Sequence, residues 1–171
     1  MIQFSTARIL LQPFERTDQA SLHQLFTDPF VRKYLWDDAI ISEETVRDIL
    51  MTNEHLLRTK QYGLWKVIER ESGQLAGFIG FWHFFDESLP QLLYGLYEDW
   101  TGKGFATEAA QVVLEHAFQS LRFPYADAAM DKPHRASQAV AQRLGMRFLK
   151  EEVAEGKETV FYRLEAEAFF T

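Results

Sequence analysis

The chain has 171 residues, 47% of them hydrophobic, no cysteine, and 25 acidic against 18 basic side chains for a formal charge of −7. This length can bury one substantial core, so a single domain over residues 1–171 is expected, and the lack of cysteine excludes disulfides, thiolate nucleophiles and cysteine-ligated metal, in keeping with a reducing cytoplasm. The acidic balance argues against nucleic acid as a partner, and with no basic-then-apolar leader and no apolar run of spanning length, a soluble, unexported chain with no membrane partner is expected.

Taken in order, residues 8–12 (Arg-Ile-Leu-Leu-Gln) form a short strand closed by Pro13. Thr17 is expected to cap a helix with Asp18 in its first turn and Leu22, Leu25 and Phe26 on its buried face, and Pro29 stops it. Ser42 caps a second helix, with Glu43 and Glu44 at its N-terminus and Val46, Ile49, Leu50 and Leu57 facing inward. Residues 64–68 and 75–85 flank a turn at Glu71-Ser72-Gly73 and read as a hairpin. A turn over residues 86–90 leads into an apolar strand, residues 92–97.

Ala106, Ala110, Val113, Ala117 and Leu121 then recur at helical spacing, opposite Glu108, Gln111, Glu115 and Gln119, so an amphipathic helix follows. After Pro124 comes a strand over residues 125–130, a helix over 134–144 stopped by Gly145, and two strands, 146–149 and 159–164, around a Glu-rich loop. The order is β-α-α-β-β-β-α-β-α-β-β. That is an α/β (α+β) chain with about seven strands and four helices.

The chemistry concentrates between the strand ending at Tyr97 and the helix starting near Ala106. There the chain reads Thr101-Gly102-Lys103-Gly104-Phe105-Ala106-Thr107. A strand, a glycine turn and a helix start bring free N–H groups and the positive end of a helix dipole to one point, which suits an anion such as phosphate. The spacings GxxxxGK[ST] and GxGxxG are both absent, so neither a Walker loop nor a Rossmann fingerprint is present.

This stretch resembles the pyrophosphate loop of the GNAT superfamily of N-acetyltransferases, Q/R-x-x-G-x-G/A, with Thr101 at the first position. Its continuation Ala106-Thr107-Glu108-Ala109 is most similar to the ribosomal-protein N-terminal acetyltransferase branch. Residues 28–35 resemble that branch's D-P-x-V-x-x-Y-L block. Residues 6–13 resemble its T-x-R-L-x-L-R-P opening, with Gln12 for Arg. A third block, Asp131 to Ser137 running on to Leu144-Gly145-Met146, is similar to N-x-x-S followed by L-E-K-L-G-F, with His134 at the Asn position.

The resemblance implies a GNAT-like, mixed, largely antiparallel twisted sheet flanked by helices. It further implies an acetyl-CoA-dependent transfer of an acetyl group to a primary amine, either a protein N-terminus or a small amine. The pantetheine would lie in a slot where two strands splay. Tyr94 and Leu96 would offer it backbone contacts, and Gly102, Lys103, Gly104, Phe105, Ala106 and Thr107 would cradle the pyrophosphate. His134 would hydrogen-bond the cofactor, and Ser137 would return a proton to the departing thiolate. A homodimer is a further expectation from the family.

The base is not legible. Gln91 stands where the branch carries Glu, and an amide accepts no proton at neutral pH. His83 is the right chemical type but lies in an aromatic run, Phe81 to Phe85, where packing explains it equally well. Phe30, Tyr34, Trp36, Asp37 and Asp38, with residues 153–157, are expected to form the acceptor site. No spacing of His and carboxylates suggests a metal. An alternative from another class, a non-catalytic acyl-CoA-binding sensor or scaffold, fits the departures at Gln91, Thr101 and His134. A third, a structural α/β protein whose glycine loop is only a turn, would bind no CoA.

Overall fold

The structure is a computed structural model describing residues Met1–Thr171. Eight strands and six α-helices follow one another: β1 (Phe4–Ser5), β2 (Ile9–Pro13), α1 (Gln19–Thr27), α2 (Pro29–Leu35), α3 (Glu43–Thr59), β3 (Leu64–Glu69), β4 (Leu75–Trp82), β5 (Gln91–Leu96), α4 (Phe105–Gln119), β6 (Tyr125–Asp131), α5 (Arg135–Arg143), β7 (Arg147–Ala154), β8 (Lys157–Glu165) and α6 (Ala166–Phe169). Every strand pair is antiparallel. The strands form two hydrogen-bonded sheets, β1-β2-β3-β4-β5 and β6-β8-β7. β5 and β6 lie against each other without pairing.

Period-two alternation divides the first sheet's two faces between separate clusters. Leu64 and Phe78 pack with Leu22, Leu25, Phe26, Val46 and Leu50 from α1 and α3. Their strand neighbours Trp65, Val67, Ile79 and Phe81 pack on the other side with Ala109, Val113, Leu114 and Ala117 of α4. The second cluster runs on to Ala126, Ala128, Val160 and Leu164, so α4 roofs both sheets and holds them side by side.

One buried polar residue ties the helical layer to the sheet. Asn53 of α3 has no exposed surface. Its side-chain oxygen accepts from the Leu64 N–H at 2.7 Å, and its amide donates to the carbonyls of Phe14 and Leu64 at 3.1 and 3.3 Å.

The expected elements occur in the expected order, with β1, α2 and α6 added to them and some local differences. Pro29 stops α1 and also opens α2, where a missing N–H costs nothing. Asp28 caps α2 by accepting from the N–H groups of Phe30 and Val31. Thr17 is no cap. It sits inside a 3-10 turn, Arg16–Asp18, whose start is fixed by the Glu15 N–H donating to Asp18 at 2.8 Å. The final hairpin is longer than its sequence suggests, because the Glu-rich stretch belongs to β7. All eight residues of β7 are exposed, so no alternation marks it as a strand.

Asn53→Ala leaves the Leu64 N–H and the Phe14 carbonyl unpaired inside the core. It is expected to lower the unfolding free energy by about 2–3 kcal/mol, measured by denaturant titration.

Candidate active site

Along the edge of β5 that faces β6 unpaired, a cavity of about 1360 Å³ opens beside residues 91–96 of β5, residues 128–131 of β6, the start of α4 and one side of α5. Edge direction follows from a single bond. The Tyr97 N–H donates to the Ala76 carbonyl at 2.9 Å. By alternation along an antiparallel ladder, Gly95 and Leu93 also turn toward β4, and the N–H and C=O groups of Tyr94 and Leu96 turn into the gap.

At one end of the cavity stands the N-terminus of α4. Gly102 and Gly104 hold φ of +74° and +83°, left-handed values that glycine adopts without strain. No side chain caps the helix. Its first intrahelical bond runs from the Glu108 N–H to the Gly104 carbonyl, and the N–H groups of residues 102–107 meet no protein acceptor. Thr107 Oγ1 is buried, also without a partner. Unpaired buried polar groups are rare in folded chains. Here the Thr107 hydroxyl lies beside a row of open N–H groups at the positive end of a helix, an arrangement complementary to an anion.

The loop is held from below. Phe105 is buried, with the Arg8 guanidinium 4.4 Å from its ring centre and Trp100 edge-on at 5.6 Å. Arg8 also donates to the Lys103 carbonyl at 2.8 Å and pairs with Glu108 at 2.5 Å. Burial works to raise the Glu108 carboxyl, but hydrogen bonds from Thr6 and Arg8 and the charge of Arg8 outweigh it and hold the pKa below the ordinary carboxylate value. Lys103 does not line the cavity; its ammonium lies 5.1 Å from the Trp100 ring centre. Arg8 takes the place beside the glycines that Lys103 was expected to fill. Nothing in local spacing links Arg8 to a loop almost a hundred residues later.

Along α5, Ser137 is buried and lies in the helix's first turn rather than at its cap, which is His134. The Tyr94 hydroxyl donates to the Ser137 carbonyl at 2.9 Å, and Ser137 Oγ donates to the Tyr94 oxygen at 3.2 Å. Burial pushes the Tyr94 phenol up to about 12, against smaller opposing effects of Ser137 and Arg143, so the phenol keeps its proton. His134 stacks face to face on Tyr34, with ring centres 4.2 Å apart and planes at 14°. Its pKa is held below the ordinary histidine value by burial, with Lys33 adding to the effect and Asp131 opposing it.

The expected acceptor residues divide. Phe30 and Tyr34 line the cavity, but Trp36 packs on Phe26 and does not. Asp38 pairs with Arg32 at 3.0 Å, and Lys157 bridges Asp37 and Asp131, the latter at 3.1 Å. Both acids of that loop therefore already hold the chain's own cations. His83 lies outside the cavity, its Nε2 bonded to the Tyr62 hydroxyl at 2.9 Å. Arg135 and Arg143 line the cavity and are both exposed. No group of three or more His, Cys, Asp or Glu side chains could hold a metal ion, and no helix is long and apolar enough to cross a membrane.

Comparison with known proteins bears on this geometry. Residues 8–147 match the model of the acetyltransferase (GNAT) domain. An uncharacterized N-acetyltransferase of Bacillus subtilis strain 168, YnaD, is 27% identical over 160 residues, covering 92% of this chain and 91% of its own. Among solved structures, an acetyltransferase from Agrobacterium tumefaciens strain C58 superposes with a TM-score of 0.82 at 22% identity, covering 96% of this chain and 95% of that one. RimL, a ribosomal L7/L12 alpha-N-protein acetyltransferase in complex with coenzyme A, superposes with a TM-score of 0.80 at 17% identity, covering 98% and 99%.

Tyr94→Phe removes the donor to the Ser137 carbonyl and the acceptor for its hydroxyl. A loss of about 1–2 kcal/mol in unfolding free energy is expected, read from denaturant midpoints at unchanged slope.

Proposed function

The chain belongs to the acetyltransferase (GNAT) family, and from that premise we propose that it moves the acetyl group of acetyl-CoA to a primary amine, on a protein N-terminus or a small molecule, by direct attack on the thioester. The observation that carries this reading is the set of unpaired N–H groups of residues 102–107, with the orphaned Thr107 hydroxyl, at one end of a cavity large enough for an extended cofactor. Gly102 to Thr107 hold the pyrophosphate through backbone donors and Thr107 Oγ1. Lys103 contributes charge from outside the cavity wall. The pantetheine amides pair with the free edge groups of Tyr94 and Leu96, much as an added strand would.

Ser137 gives its proton to the departing sulfur. It is suited to that step because it lines the cavity in the first turn of α5, its hydroxyl 3.2 Å from the Tyr94 oxygen, while the Tyr94 proton stays in its own bond to the Ser137 carbonyl. The acceptor enters past Phe30 and Tyr34. The whole chain acts as one domain, in the cytoplasm, a reading its cysteine-free composition supports. The likeness of residues 6–13, 28–35 and 101–109 to the ribosomal-protein branch makes peptide N-termini the first acceptors to try, and a homodimer the first assembly to look for.

Incubation with acetyl-labelled acetyl-CoA and a panel of amines and N-terminal peptides is expected to yield labelled amide. Calorimetric binding of CoA with no labelled product on any acceptor would instead favour a sensor or scaffold. Two substitutions separate the halves of the site. Thr107→Val removes a hydrogen bond to a charged oxygen and is expected to weaken CoA binding about tenfold with kcat unchanged. Ser137→Ala is expected to lower kcat about a hundredfold with CoA affinity unchanged.

A further inference from the structure

The chain has five histidines, and four of them are accounted for away from the cavity. His23, His83 and His116 each place Nε2 on a protein partner, at 2.9, 2.9 and 2.8 Å. His55 is exposed on α3. His134 alone lines the cavity, its ring fixed by the stack on Tyr34. It stands at the N-cap of α5, one turn before Ser137.

Transfer to an ordinary amine begins with an ammonium carrying three protons. One stays on the amide nitrogen, one ends on the CoA sulfur, and the third must leave to a base. The carboxylates on the cavity wall are committed elsewhere: Glu108 to Arg8 and Thr6, and Asp131 to Lys157. Gln91 is an amide and the Tyr94 phenol holds its proton. We propose that His134 is the general base of the transfer, the catalytic residue that takes the proton from the acceptor amine. This rests on the reading of the chain as an acetyl-CoA-to-amine transferase, and it replaces the cofactor contact expected at this position.

In the step, a ring nitrogen of His134 removes one ammonium proton. The freed nitrogen lone pair then forms the N–C bond at the thioester carbon. The C–S bond breaks with its electron pair on sulfur; Ser137 passes its hydroxyl proton to that sulfur and takes in its place the second proton of the acylated nitrogen, which becomes the neutral amide, and the imidazolium returns its own proton to solvent. The groups facing the ring are Tyr34 and Lys33 from α2 and Asp131 from β6, with Lys157 of β8 paired to Asp131, and Arg135 follows His134 in the first turn of α5. Burial and Lys33 favour the neutral ring, while Asp131, partly offset by Lys157, favours the charged one. The net direction leaves the ring neutral near pH 7, the form a base requires.

The test compares unmodified chain, His134→Asn and His134→Gln on two acceptors: an aliphatic amine that is charged at the assay pH, and a weakly basic amine that is already uncharged. With the aliphatic amine, kcat of both variants is expected to fall about a hundredfold and the acid limb of the pH profile to move up toward the ionisation of the amine itself. With the weakly basic amine, which has no third proton to lose, the fall should be small. Calorimetric CoA affinity, which also reports folding, should stay unchanged. Weakened CoA binding with unchanged kcat would overturn the proposal in favour of a cofactor contact. Equal losses on both acceptors would overturn it in favour of a structural role. CoA binding without turnover by the unmodified chain would overturn the transfer reading, and the base with it.

Discussion

The structure depends on a bond that is not made. β5 and β6 lie against each other in a molecule otherwise built of paired antiparallel strands, yet each pairs on one side only. Had they paired, one continuous sheet would satisfy the facing N–H and C=O groups of both strands, and no slot would exist. The exposed edges carry unsatisfied backbone groups that a partner rich in amides can meet. The two sheets still behave as one body because α4 packs across both, its alanines and valine sharing one apolar cluster with strands from each.

The same helix supplies the opposite of an apolar surface at its first turn. Gly102 and Gly104 bend the chain so that α4 starts with its N–H groups bare and no capping side chain over them. Arg8, reaching from β2's approach to the Lys103 carbonyl and to Glu108, fixes this turn to the first sheet. Anion seat and strand gap are thus set relative to each other by one rigid element, so a ligand extended through both would be positioned by the fold itself. That is what an acyl transfer needs from its protein, since holding the thioester at a fixed point replaces a bimolecular encounter.

The legible parts of the sequence were local. The strand, glycine turn and amphipathic helix around residues 92–121 announced an anion seat through contiguous residues, and three short blocks in order pointed to the fold. The acceptor side was not legible in the same way. Asp37 and Asp38 looked like free carboxylates, and only the fold shows Lys157 and Arg32 occupying them, the first from a strand 120 residues away. Arg8 and the Tyr34–His134 stack are likewise long-range meetings with no spacing to betray them. β7 was read only over its first residues, because a strand exposed on both faces has no hydrophobic period to carry the reading on through residue 154.

If the turn at residues 102–107 and the gap between β5 and β6 form one continuous cofactor site, one CoA molecule occupies both at once. A crystal structure with CoA bound tests it most directly. Pyrophosphate oxygens are expected within hydrogen-bonding distance of the backbone N–H groups of residues 102–107 and of Thr107 Oγ1, with the pantetheine amides on Tyr94 and Leu96 and the sulfur near Ser137. CoA seated elsewhere on the chain, or a pantetheine arm that leaves the β5–β6 gap empty, would contradict it.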